Sequence, residues 1–188
     1  MEAYEEYMYW EFPEHIPKHK IDIFLKDSEH LESYPGYVGR AGGDHPGNLN
    51  EEFRKVSVQY PGEFSFMSMM LYAFGMKANT RCWNYDLYGV AQCDLLTYNA
   101  GGDKYDGHID TQVVQPGIVR KLTALAFLTD DYEGGRFYFM RDARNKQYIE
   151  TKAGTVVVFP SHVMHGVEPV TAGVRKTIVT WLVGPNFK

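Results

Sequence analysis

Apolar residues return at helical spacing early in the chain and at strand spacing later. After Pro17, which suits a first helical turn, Ile21, Phe24 and Leu25 form a short stripe running toward an acidic segment over 27–32, the pattern of a buttressing helix. Phe53 to Tyr60 alternates like a strand that Pro61-Gly62 closes. Over 63–78, Phe64, Met67, Leu71 and Phe74 recur at helical intervals, so one amphipathic helix is expected with these side chains toward the core. Beyond Asn79 strand-sized blocks take over: 83–87, 90–98, 105–110, 122–128, 135–140, 147–152, 155–159 and 175–183, separated by turn clusters such as Asn99 to Asp103 and Asp142 to Lys146. Many short alternating strands imply two sheets folded on one another. The expected fold class is mainly β with flanking α, a double-stranded β-helix (jelly roll) with helices packed on one sheet.

At 188 residues the chain suits one domain, read as helical support and a mobile loop over 1–78 and a catalytic β core over 79–188. Five glycines and one proline fall between Gly36 and Asn50, marking 36–50 as a loop expected to close over substrate. A formal net charge of -5 gives no broad basic field for nucleic acid. Apolar runs such as Val156 to Phe159 fall far short of the roughly 20 residues of a spanning helix, so no membrane partner is expected. The acidic, aromatic start differs from a signal peptide, which makes a cytoplasmic location the expectation. Cys82 and Cys93 are expected as reduced core residues. Oligomeric state is not encoded in any of these patterns.

Candidate chemistry centres on His108-Ile109-Asp110 and the distant His165. On a strand, the two-residue side-chain period would turn His108 and Asp110 to one face, where a second histidine completes a 2-His-1-carboxylate triad. Such a triad leaves adjacent positions on a non-haem Fe(II) for other ligands. His165 follows the apolar run that ends at Pro160-Ser161, and Arg175 opens the last strand. There Arg175, Thr177, Val179 and Trp181 share one face while Lys176 points outward. A guanidinium among apolar neighbours calls for an anion, and its fork matches a carboxylate, whether that of a bound dicarboxylate or of an internal Asp or Glu; a solvated strand end is the remaining alternative. His162 and the other histidines lack a shared ligand spacing, and neither a phosphate-binding loop nor a nucleophile elbow is present.

From residue 79 to 184 these motifs come in a recognisable order: Tyr98-Asn99-Ala100-Gly101-Gly102-Asp103-Lys104-Tyr105 before His108-Ile109-Asp110, then Arg120-Lys121-Leu122-Thr123, Tyr132-Glu133-Gly134-Gly135, Phe159-Pro160-Ser161, His165, Pro169-Val170-Thr171, Arg175 and Trp181. The set resembles the prolyl 4-hydroxylase-like branch of the Fe(II)/2-oxoglutarate-dependent dioxygenases. The resemblance implies that His108, Asp110 and His165 hold Fe(II), that Arg175 binds the distal carboxylate of 2-oxoglutarate, and that Tyr98, Thr123, Thr177 and Trp181 contribute to the cosubstrate pocket. Phe127 stands where some relatives carry a tyrosine, which leaves more of the anchoring to Arg175.

It further implies a hydroxylase using O2, with release of succinate and CO2, ascorbate as reductant, and a prolyl residue in a peptide or protein as target. Trp83, Tyr85, Tyr88, Tyr105 and Trp181 are candidates for an aromatic groove that receives an extended proline-containing segment. A free amino acid or other small molecule remains open as substrate. A cupin-like metal enzyme would share the roll without needing Arg175, and a noncatalytic peptide-binding module would need neither the triad nor the anchor.

Overall fold

The computed structural model describes residues 8–39 and 47–187. Among these residues fifteen strands and two helices follow in order: β1 (Trp10–Phe12), α1 (Lys18–Asp27), β2 (Tyr34–Pro35), β3 (Arg54–Lys55), β4 (Ser57–Gln59), α2 (Phe66–Cys82), β5 (Gly89–Asn99), β6 (Lys104–His108), β7 (Val113–Gln115), β8 (Ile118–Phe127), β9 (Glu133–Gly134), β10 (Phe137–Met140), β11 (Lys146–Tyr148), β12 (Val156–Pro160), β13 (His165–Val167), β14 (Val170–Ala172) and β15 (Val174–Pro185). The major sheet runs β1-β12-β8-β15-β5-β4-β2, with β7 also paired to β8; the facing sheet runs β11-β10-β13-β6-β3, and β14 pairs with β9. This is the expected double-stranded β-helix.

The major sheet is buried on both faces, which explains its long apolar runs. Along β12, Val156 and Val158 join the cluster under the helices, whereas Val157 and Phe159 enter the space between the sheets. β8 divides the same way, with Leu122, Ala124 and Ala126 outward and Leu125 and Phe127 inward. So does β15: Ile178 and Leu182 meet the helices, and Val179 and Trp181 face inward. The period-two geometry thus separates a structural core from a wall that carries chemistry.

α2 seals the outer face. Ser65 caps it by accepting from the Ser68 N–H at 3.3 Å, and Met67, Leu71, Gly75 and Ala78 turn toward the sheet. Phe64, expected on that face, precedes the helix and is 79% exposed. Pro17 flanks α1 as its N-cap instead of entering its first turn, and Ile21 and Phe24 are the buried residues of that helix.

Several expected elements differ. The segment 83–87 is not a strand, because Asn79 at the end of α2 clamps it: the side-chain oxygen of Asn79 accepts from the Tyr85 N–H and its amide donates to the Tyr85 carbonyl, both at 2.9 Å. Residues 53–60 form two strands in different sheets, β3 beside β6 and β4 beside β5. The first part of the chain is therefore not only helical support; β1 to β4 extend the sheets. The expected strand over 147–152 is reduced to β11, which among the described residues is an edge strand paired with β10. Of the loop 36–50, residues 40–46 lie outside the described residues, and Val38 and Asn48 on either side form an antiparallel bridge.

Candidate metal and cosubstrate site

His108 and His165 are directly opposed partners of β6 and β13, which places their rings side by side with centroids 4.3 Å apart. Asp110 is not on the strand as expected, since β6 ends at His108. Two backbone bonds hold it instead, as the Asp110 and Thr111 N–H groups both donate to the Ser161 carbonyl, at 2.7 and 3.0 Å. The turn after β12 thereby brings the carboxylate to the histidines. Asp110 Oδ1 lies 3.5 Å from His108 Nε2, and Oδ2 lies 3.5 Å from His165 Nε2.

These separations suit ligands around an ion. Donor atoms at right angles with bonds of about 2.1 Å lie about 3 Å apart, and the three donor atoms here fall within 4.8 Å of one another. Each histidine places Nδ1 2.9 Å from a carbonyl, that of Asp106 for His108 and that of Val163 for His165. A carbonyl only accepts, so Nδ1 carries the proton and the Nε2 lone pair faces the cluster. Tyr105 stacks on His108 at 3.5 Å, and Phe137 and Phe159 pack against His165.

Burial, reinforced by the neighbouring His108, pulls the His165 pKa down to about 4, leaving a neutral imidazole. Burial works against ionisation of Asp110, but the histidines and their hydrogen bonding outweigh it and hold the carboxyl well below the usual carboxylate range. Thr123 donates to Asp110 Oδ2 at 2.8 Å, so its hydroxyl orients the carboxylate. Trp181 lies against Asp110 without an acceptor in hydrogen-bond geometry for its indole N–H.

Arg175 occupies the deep end of the same inner face and is fully buried. One guanidinium nitrogen reaches Thr177 at 3.5 Å, and Nε and Nη2 have no partner. The guanidinium lies 5.0 Å from the Tyr98 ring centroid and 5.5 Å from that of Phe127. A buried cation with idle donors is expensive unless an anion joins it. The residues thus fit an iron-chelating dicarboxylate whose far end meets Arg175. Lys176 is directed away from this pocket by the alternation of β15.

A cleft of about 650 Å³ opens from this site. Tyr105 and Trp181 line it as expected, but Trp83 and Tyr85 pack on the helical side and Tyr88 is 65% exposed outside the lining. Tyr34, Tyr37 and Tyr60 supply the aromatic wall in their place, joined by Arg54, Asp94 and Arg120. The N-terminal lining residues carry no local motif that reveals them. Asp94 had a signal: stepping back by two along β5 from Tyr98 leads through Leu96 to Asp94 on the same face.

Residues 93–183 match the 2OG-Fe(II) oxygenase superfamily. A PKHD-type hydroxylase of Shewanella oneidensis is 39% identical over 93 residues, covering 47% of this chain and 41% of the relative. PKHD-type hydroxylase PiuC of Pseudomonas aeruginosa is 33% identical over 114 residues, covering 54% of this chain and 50% of its own length. The chain spans half or less of these curated relatives. The fold is similar to a Pseudomonas putida prolyl-4-hydroxylase, with TM-score 0.72, 19% identity and coverage of 96% and 95% of the two chains. It is also similar to a Trichoplax adhaerens prolyl hydroxylase solved with a hypoxia inducible factor peptide fragment, with TM-score 0.72, 18% identity and coverage of 96% and 86%. Residues 93–183, just under half of the chain, carry the likeness to the 2OG-Fe(II) oxygenase superfamily, and the fold is similar to that of both solved structures.

Proposed function

We propose that the protein is an Fe(II)- and 2-oxoglutarate-dependent dioxygenase that hydroxylates an unactivated C–H bond, with a prolyl residue in a peptide or protein as substrate. The observation that carries this reading is the pairing of the His108–Asp110–His165 cluster with Arg175, a fully buried guanidinium whose Nε and Nη2 lack acceptors. A cupin-like metal enzyme or a binding module has no use for that second feature.

His108 Nε2, His165 Nε2 and an Asp110 oxygen would hold Fe(II). Arg175 would receive the distal carboxylate of 2-oxoglutarate in the space bordered by Tyr98, Phe127 and Thr177. When bound, Fe(II) with 2-oxoglutarate and O2 would supply C–H hydroxylation, one oxygen atom entering the substrate and the other the succinate formed together with CO2. The chain's own part is positioning: Thr123 fixes the Asp110 carboxylate, the Asp106 and Val163 carbonyls fix the two imidazoles, and the inter-sheet aromatics exclude water. Ascorbate is assigned as reductant in vitro on the family resemblance alone.

The tyrosines of the cleft, and the prolyl hydroxylases among its structural relatives, support a proline-containing segment as substrate. Contributions of β1 to β4 to the sheets support reading 1–188 as a single domain. The two cysteines are not joined in a disulfide, which supports a reducing compartment such as the cytoplasm. No helix among the described residues is long and apolar enough to cross a membrane.

Anaerobic titration of Fe(II) and 2-oxoglutarate into the metal-free protein tests the reading. Wild type should develop the weak visible band of the chelate, and Arg175→Ala should need far more cosubstrate to reach it. A well-folded wild type without a band returns the protein to the cupin-like or binding-module readings.

A further inference from the structure

The inner face of β5 carries polar groups at two levels. Tyr98 adjoins Arg175 at the deep end, whereas Asp94 lies two alternations nearer the β5 start, in register with Val179 of β15. Val179 and Trp181, the next inward residue, line the same cleft as Asp94. Asp94 thus belongs to the wall facing His108 and His165, beyond the pocket assigned to 2-oxoglutarate.

Asp94 is only 5% exposed. Its described hydrogen bond comes from Gln92, whose Nε2 donates to Oδ1 at 2.6 Å. Arg120 fixes the direction of that amide by donating to Gln92 Oε1 at 3.4 Å. Neither neighbouring arginine makes a described hydrogen bond or ion pair with Asp94: Arg54 donates to the Tyr37 carbonyl at 2.6 Å and lies over the Tyr105 ring, while Arg120 lies over Trp181. Burial outweighs the Gln92 bond and the fields of both arginines, pushing the Asp94 carboxyl up to about 6. A buried carboxylate so sparsely compensated is costly to retain, and the cleft gives it access to a ligand.

We propose that Asp94 determines specificity by binding an ammonium group of the substrate adjacent to the carbon presented to the metal site. The inference rests on the oxygenase reading and narrows its substrate class. An ammonium is available from a free amino acid or terminal prolyl residue, or from a lysine beside an internal proline. The net charge of -5 favours the approach of an amine-bearing peptide with net positive charge. Arg54, whose Nε is buried without a hydrogen-bond partner on the same cleft, suits a carboxylate or carbonyl oxygen that accompanies the amine.

The test uses wild type, Asp94→Asn and Asp94→Glu loaded with Fe(II) and 2-oxoglutarate, with anaerobic calorimetric Kd and aerobic KM as readouts. The probes are L-proline, N-acetyl-L-proline, a proline peptide with an adjacent lysine, and that peptide with the lysine acetylated. An amine-bearing probe should bind wild type on the order of tenfold more tightly than its acetylated twin. The pair that responds distinguishes an α-amine from a side-chain amine. Asp94→Asn should bring that pair to near equality, and Asp94→Glu should restore part of the preference, which separates charge recognition from a folding defect. No discrimination within either pair in wild type, including failure of every probe to bind, overturns the proposal, as does a preference that survives in Asp94→Asn. The chelate band of the same wild-type samples keeps the readings apart: if it is present, only the role of Asp94 falls, and if it is absent the oxygenase reading falls too.

Discussion

Thr123 donates a 2.8 Å hydrogen bond to Oδ2 of Asp110, the oxygen that also faces His165 Nε2. Thr123 lies on β8 of the major sheet and Asp110 follows β6 of the facing sheet, so this bond ties the proposed ligand across the sandwich. Removing an oriented outer partner of a metal ligand costs roughly 10–100-fold in affinity. Thr123→Val, close in shape, is expected to weaken metal binding by about tenfold while preserving the fold. Competition titration with Mn(II) checks this, and an unchanged Kd would show that Ser161 and the backbone suffice to orient the carboxylate.

Arg175 should matter more to ligand binding than to the stability of the metal-free protein. Its Nε and Nη2 are buried without partners, and each unsatisfied polar group costs about 1–3 kcal/mol. Arg175→Met retains much of the apolar stem without the charge. Its melting temperature is expected to equal that of wild type or exceed it by about 2–4 °C, and the thermal shift produced by metal with 2-oxoglutarate should disappear. Destabilisation on the scale of a core truncation would indicate that the guanidinium is paired within the fold.

Asp94 predicts a pH-dependent stability difference with a definite sign. Its folded pKa, raised to about 6, exceeds the ordinary value of 3.8, so the unfolded chain releases this proton first. Ionisation therefore lowers native stability as pH rises through that interval, and the cost is complete above the folded pKa. Asp94→Asn removes the titration. Its stability advantage should open between pH 4 and 7 and reach on the order of 2 kcal/mol. Urea denaturation at both pH values checks this; a constant difference would assign the effect to packing.

Gly75 marks a close approach of α2 to the major sheet. A Cβ built there meets the Leu182 side chain at 2.7 Å, and Leu182 is fully buried. Gly75→Val should force the helix outward and cost about 1–3 kcal/mol in stability. Because Leu182 faces away from the proposed metal cleft, the metal Kd of the folded fraction should hold. Denaturation and metal titration of the same preparation separate these effects.

The sequence by itself determined the double-stranded β-helix and the residue types needed for its proposed chemistry, because both rest on local spacing. The period-two runs of β5, β8, β12 and β15 required sheets, and the alternation along β15 assigned Arg175, Thr177, Val179 and Trp181 to one face. Tertiary structure decided how remote segments share the site. The turn at Ser161 holds Asp110 after its strand has ended, Asn79 prevents 83–87 from joining a sheet, and 53–60 divides between two sheets. It also replaced the expected aromatic residues Trp83, Tyr85 and Tyr88 in the cleft with Tyr34, Tyr37 and Tyr60. Side-chain periodicity is local and readable along the chain, whereas the partner of a strand end or loop depends on long-range hydrogen bonds and packing formed only when distant segments meet.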